Sequence, residues 1–168
     1  MKNYLLLVIA IFAMGCQQNK IGYVNSVKLM DKYQEKIDVE SRFKTKADAM
    51  AKKRDSISQA FQLELQEFQT RAQRISQQSA QEEYAQLQQR GQFVGQQLQQ
   101  EEQQLQQHSQ AEMDTLVKKV KEEIQTYGKA NGYTYILGGG EGGAVLYGED
   151  TQDLTEAILK ILNDKYKK

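Results

Sequence analysis

The sequence predicts an α+β protein in which a long antiparallel helical hairpin, a coiled-coil tentacle, is attached to a small β-sheet body. Three observations carry that expectation. Between about Val27 and Tyr127 there is no Pro, and only Gly91 and Gly95 interrupt helix-forming residues. Apolar positions inside that stretch repeat by seven. After Tyr127-Gly128 the pattern changes to short β-branched and aromatic runs. The chain has 168 residues, of which 39% are hydrophobic, and its mean hydropathy is −0.71. That supply is thin for a conventional core over the whole length, and a long helical assembly needs less.

The first twenty residues, MKNYLLLVIAIFAMGCQQNK, open with Lys2 and an apolar run through Met14. The run is shorter than the roughly 20 apolar residues of a comfortable membrane span, so residues 1–15 read as a secretory signal peptide. Ala13-Met14-Gly15-Cys16 resembles the bacterial lipoprotein cleavage box. That resemblance implies cleavage before Cys16, lipidation of Cys16 and a short lipidated linker over 16–20. Gln17 stands where an inner-membrane retention signal would place Asp, which directs the expectation to the outer membrane.

Ile21-Gly22-Tyr23-Val24-Asn25 reads as a strand, with Asn25 or Ser26 as the N-cap of the helix that follows. Within the helical stretch, Phe61, Phe68 and Ile75 form one row, and Leu65, Ala72 and Ser79 interleave with it. A second series has Leu87 and Val94 in one row and Gly91, Leu98 and Leu105 in the other. The two series do not share a register, so a break is expected near 79–86. One continuous rod is the alternative to a hairpin. The midpoint of the span falls inside the break, however, and two arms of equal length would each supply the apolar stripe the other needs. About twenty Gln lie between Gln59 and Gln107; they read as a solvated helix face, or as a weakly charged surface that meets other chains.

Gly128 is expected to close the second arm. Tyr133–Leu137 and Ala144–Tyr147 flank the run Gly138–Gly143 as a strand hairpin, giving a sheet of three strands with the first. Asp150–Asp153 then caps an amphipathic helix with Leu154, Ile158, Ile161 and Leu162 on one face. The body is thus assigned to 21–34 and 128–168 and the tentacle to 35–127. So small a sheet is expected to complete its core by association.

Little in the chain suggests chemistry. Twenty-two Lys and Arg balance 22 Asp and Glu, which gives no global field for nucleic acid. One Cys and one His exclude a disulfide within the chain and a Cys/His zinc site. Gly138, Gly140 and Gly143 match a dinucleotide spacing, but a strand rather than a helix is expected next, so no cofactor is assigned. His108 has no companion ligands of suitable spacing, so no metal is assigned. Glu82-Glu83, Glu101-Glu102 and Glu122-Glu123 are adjacent on helices and point in different directions. The expectation is that the chain is not an enzyme.

The order of strand, helical hairpin, strand hairpin and capped helix behind a secretory signal resembles the Skp/OmpH family of periplasmic chaperones. The matching residues are Ile21-Gly22-Tyr23-Val24-Asn25-Ser26 leading into Leu29, the Tyr133–Leu137 strand after Asn131-Gly132, and Asp153-Leu154-Thr155 with Leu159 and Leu162. The resemblance implies a homotrimer whose tentacles enclose a cavity. It also implies ATP-independent holding of unfolded outer-membrane proteins in the periplasm, and their delivery to the outer-membrane assembly machinery. Two features depart from the family type. This chain is neutral, with net −3 over 61–110 against +4 over 17–60, and it carries a lipidation signal.

On that reading Tyr23, Val24, Ile136 and Val145 are the oligomerisation residues. Client contacts are assigned to Met50, Ile57, Leu63 and Met113, apolar positions outside the main heptad rows, with Lys52, Lys53 and Arg54 adding charge. Each of the apolar four alternatively completes the seam between the helices. The competing function is a structural or adaptor lipoprotein whose coiled coil docks one defined envelope partner.

Overall fold

A computed structural model of the chain describes residues 19–167. The elements run β1 (Ile21–Asn25), α1 (Ser26–Lys32), α2 (Gln34–Ala72), α3 (Gln77–Ala130), β2 (Tyr135–Gly139) and α4 (Thr155–Tyr166), with a 3₁₀ turn at Asp150–Gln152 before α4. The chain divides into two compact units. One comprises the described residues through Glu35 together with those from Val117 onward; the other is Lys36–Leu116.

The first unit is built on β1. The strand pairs in parallel with β2, Ile21 opposite Tyr135 and Asn25 opposite Gly139, as the long helical connection between them permits. Its other edge is met by the chain at Asp153: Leu154 N–H donates to the Tyr23 carbonyl at 2.8 Å. Gly22 is required here, because a Cβ would lie 2.6 Å from Leu154 Cδ1. Asn25 caps α1 by accepting from Lys28 N–H at 3.0 Å. α1 packs on α4, and Val24, Leu29, Tyr33, Leu154, Ile158, Leu159 and Leu162 are buried. The hydrophobic face of α4 is therefore Leu154, Ile158, Leu159 and Leu162, while Ile161 is only half-buried.

Four further local expectations change. Helix does not run unbroken from Val27, because Tyr33 leaves α1 in an extended conformation and is itself 2% exposed. Asn163 of α4 serves the break by accepting from Gln34 N–H at 2.9 Å and donating to the Lys32 carbonyl. The second arm runs to Ala130 and is closed at Gly132 rather than Gly128. Gly132 has φ +68°, and bonds from Gly132 N–H to the Lys129 carbonyl and from Tyr133 N–H to the Gly128 carbonyl close the helix end. Gly128 stays helical and gives room to Ile136, whose Cδ1 would lie 3.1 Å from a Cβ there.

The expected strand at Ala144–Tyr147 forms a single bridge, Val145 to Gly139. Gly140 and Gly142 take positive φ and turn the chain before a hairpin ladder starts. Leu146 and Tyr147 are left 99% and 87% exposed, so no buried face holds them in a strand. Finally, the turn between the arms is at 73–76, ahead of the expected 79–86. Ser76 caps α3 by accepting from Ser79 N–H at 3.2 Å. The second register runs back from Leu87 to half-buried Ala80 at the start of α3, so the change of register belongs to this turn; Ile75 and Ser79 extended the first rows by spacing alone and drew the expectation too late.

The second unit contains the expected seam. Phe43, Phe68 and Leu87 are buried and Phe61, Leu65, Ala72, Gly91, Val94, Leu98 and Leu105 half-buried. Phe68 and Tyr84 stack with ring centroids 5.9 Å apart across the two helices. The last eleven or so residues of the assigned tentacle, from Val117, fall in the first unit because Val120 and Glu123 bury there.

Candidate functional site

The seam of Lys36–Leu116 contains polar residues as well as apolar ones. Arg71 pairs with Glu83, Glu64 with Arg90, Lys53 with Glu101 and Arg42 with Glu112. All are partly exposed, so each contributes about 1 kcal/mol or less. Their arrangement specifies register. A seven-residue slip would keep the apolar rows facing each other, but it would set Arg71 opposite Arg90 in one direction and Glu64 opposite Glu83 in the other. Like charges so placed disfavour both slips.

Met50 and Ile57 stand one heptad apart in the row that Phe43 begins, and both are half-buried in the seam. Met113 is also half-buried, whereas Leu63 faces outward at 58% exposure. Lys53 is held by Glu101 at 2.6 Å; Lys52 is exposed, and Arg54 borders two hollows between the helices. The four apolar client residues thus separate into half-buried Met50, Ile57 and Met113 and an outward Leu63. Phe93, 65% exposed, and Tyr84, 47% exposed, are further apolar groups on this unit's surface. Sequence reasoning missed both: Phe93 stands off the heptad rows and leaves no periodic trace, while Tyr84 lies seven residues before Gly91 in its row but inside the stretch 79–86 assigned to the turn.

The two arm glycines have different surroundings. A Cβ at Gly91 would lie 2.9 Å from Phe61 Cζ, while one at Gly95 would meet nothing within 4 Å. Gly91→Ala is expected to lose stability, since overpacking of about 1–3 kcal/mol exceeds the helix-propensity gain of about 1. Gly95→Ala should instead gain up to about 1 kcal/mol. Thermal unfolding of the two variants checks the opposite signs; equal shifts would contradict this packing.

In the first unit, Val24 is 2% exposed within the single chain, so its burial requires no second copy. Tyr23 lies between Gly139 and Gly148, Ile136 lies against Gly128, and Val145 is half-buried at its bridge to Gly139. Outward-facing apolar groups are Tyr135 at 58%, Leu137 at 40%, Leu146 and Tyr147. Cys16 lies outside the described residues. Among the described residues no group of His, Cys, Asp and Glu is arranged to hold a metal, and no helix is long and apolar enough to cross a membrane.

One ionisable cluster of this unit is Tyr33, Glu35 and Lys119. Partial burial opposes charge on Glu35, but bonds from Lys119 and the Tyr33 hydroxyl outweigh it and hold the carboxyl below its usual range. Burial, reinforced by the bond to Glu35, pushes the Tyr33 phenol upward. A depressed Glu35 contributes stability that is present above the unfolded carboxylate pKa of about 4.3 and is lost as pH falls through the lower folded value. Glu35→Gln should therefore lower the melting temperature at neutral pH, and the deficit should shrink below about pH 4. Melting curves across that range test it, and a deficit independent of pH would reject the linkage.

The family described as outer membrane protein (OmpH-like) matches residues 20–162. No curated protein matches the chain. Among solved structures, a candidate outer membrane chaperone (OmpH-like) from Caulobacter crescentus superposes with a TM-score of 0.78 at 16% identity, covering 90% of this chain and 88% of that one. That likeness establishes the shared fold: long helices with a small two-stranded sheet. The match over 20–162 embraces both strands, both arms and most of α4, and on it the chain belongs to the OmpH-like family of outer membrane proteins, a non-enzymatic family.

Proposed function

We propose that this protein is an ATP-independent periplasmic holdase for unfolded outer-membrane β-barrel proteins, which it delivers for assembly. Family membership supports a chaperone role, outer-membrane proteins as its clients and a periplasmic location. The observation that carries the reading is an extended helical unit whose surface keeps apolar groups in water, Leu63 and Phe93 above all. Scattered weak contacts of this kind hold an unfolded chain through their number rather than through one strong site.

The working form is a homotrimer anchored by lipid on Cys16, sorted to the outer membrane. Association is supported by Tyr135, Leu137, Leu146 and Tyr147, which the single chain leaves exposed in a small body; the number three follows the family. Light scattering of an unfolded β-barrel protein diluted into excess full chain tests the activity. Suppressed aggregation is expected. Unchanged aggregation would reject the holdase in favour of an adaptor lipoprotein that docks one partner.

A further inference from the structure

Gly95 and Arg54 of the arm unit both border one groove. Gly95 stands inside α3, where Gly costs about 1 kcal/mol relative to Ala, yet no neighbour would obstruct a Cβ. Arg54 has no hydrogen-bond or ion-pair partner among the described residues. The groove consists of two hollows of about 410 and 420 Å³ along the seam. Ile57, Phe61 and Val94 line the first, and Ala47, Met50 and Leu105 line the second; Arg54, Gly95 and Leu98 border both. The first also contains the ion pair of Glu64 with Arg90, so Arg54 is its uncompensated charge. Glu102 stands at the exposed rim of the second.

We propose that this groove receives an extended client segment of the pattern apolar, any, acidic, any, apolar, an assignment that rests on the holdase reading. The hollows are offset by about eight helical residues, or about 12 Å. On an extended strand, side chains four residues apart lie on one face at about 13 Å, so one segment reaches both hollows. The residue midway between them points the same way, toward Arg54. A carboxylate there makes a charge-assisted bond with the guanidinium. Gly95, lacking a side chain, lets the client backbone approach the helix closely.

The test uses the full chain and a fluorescein-labelled peptide of about ten residues containing Phe-Thr-Asp-Thr-Phe, with binding read by fluorescence anisotropy. Gly95→Leu fills the groove with a better helix former and is expected to weaken binding about tenfold or more without lowering the melting temperature. Arg54→Gln, and a peptide with Lys in place of Asp, should weaken it comparably. Wild-type affinity in Gly95→Leu, or equal binding of the Lys peptide, would overturn the assignment. So would dodecanoate binding in place of the peptide, which would assign the groove to an amphiphile, or a drop in sedimenting mass on Gly95→Leu, which would assign it to a second copy. Suppression of aggregation by the wild type without peptide binding removes the groove and leaves the holdase. Peptide binding that Gly95→Leu abolishes, with no suppression by the wild type, removes the holdase and leaves the groove.

Discussion

Ile158→Ala is expected to destabilise the β-containing unit by about 2–5 kcal/mol. Ile158 has no exposed surface, and Leu29, Val24 and Leu162, also buried, belong to the same unit. Truncation removes three buried carbons, and the space left cannot collapse readily where α1 and α4 are tied to one another. Those ties include Lys28 with Glu156 at 3.0 Å and Asn163 spanning the break at Tyr33. A small folded unit has on the order of 5 kcal/mol to lose, so the variant should be marginal. Urea unfolding followed by tyrosine fluorescence reads this unit through Tyr23, Tyr33, Tyr127 and Tyr133. Ile161→Ala, one turn further along and half-buried, should cost roughly 1 kcal/mol or less. Equal losses at 158 and 161 would mean that α4 presents a different face.

Thr155→Val should cost about 1–3 kcal/mol although the shape is conserved. The Thr155 hydroxyl accepts from Asn25 N–H at 2.8 Å and donates to Asp153 Oδ1, in a site with no solvent exposure. A methyl group in its place strands the Asn25 amide away from water, which costs the full desolvation of that donor. Thr155→Ser retains both bonds and loses one buried methyl, about 0.8 kcal/mol. Amide exchange at Asn25 separates the two: protection should persist in Thr155→Ser and fall sharply in Thr155→Val. Retained protection in the Val variant would show that another acceptor serves Asn25.

Local repeats and caps were legible in the amino-acid order. The heptads from Phe61 to Leu105 required a helical partner, and the strand at Ile21–Asn25 with its Asn25 cap was written in β-branched residues followed by an Asx side chain. Amphipathic periodicity likewise marked Leu154, Ile158 and Leu162 as buried, although Ile161, placed on the same face, is only half-buried. Tertiary structure decided the rest. Tyr33 breaks a stretch of excellent helix formers because its ring is drawn into the core and Asn163, distant in sequence, satisfies the broken ends. Gly128 continues a helix it was expected to end, since Ile136 occupies the space beside it. Met50 and Ile57 line the seam, and Gly95, in the sequence only an interruption among helix formers, borders the same two hollows as Arg54, which its charge alone had marked. A residue's propensity is a property of its neighbours in the chain; the room around it depends on what folding brings there.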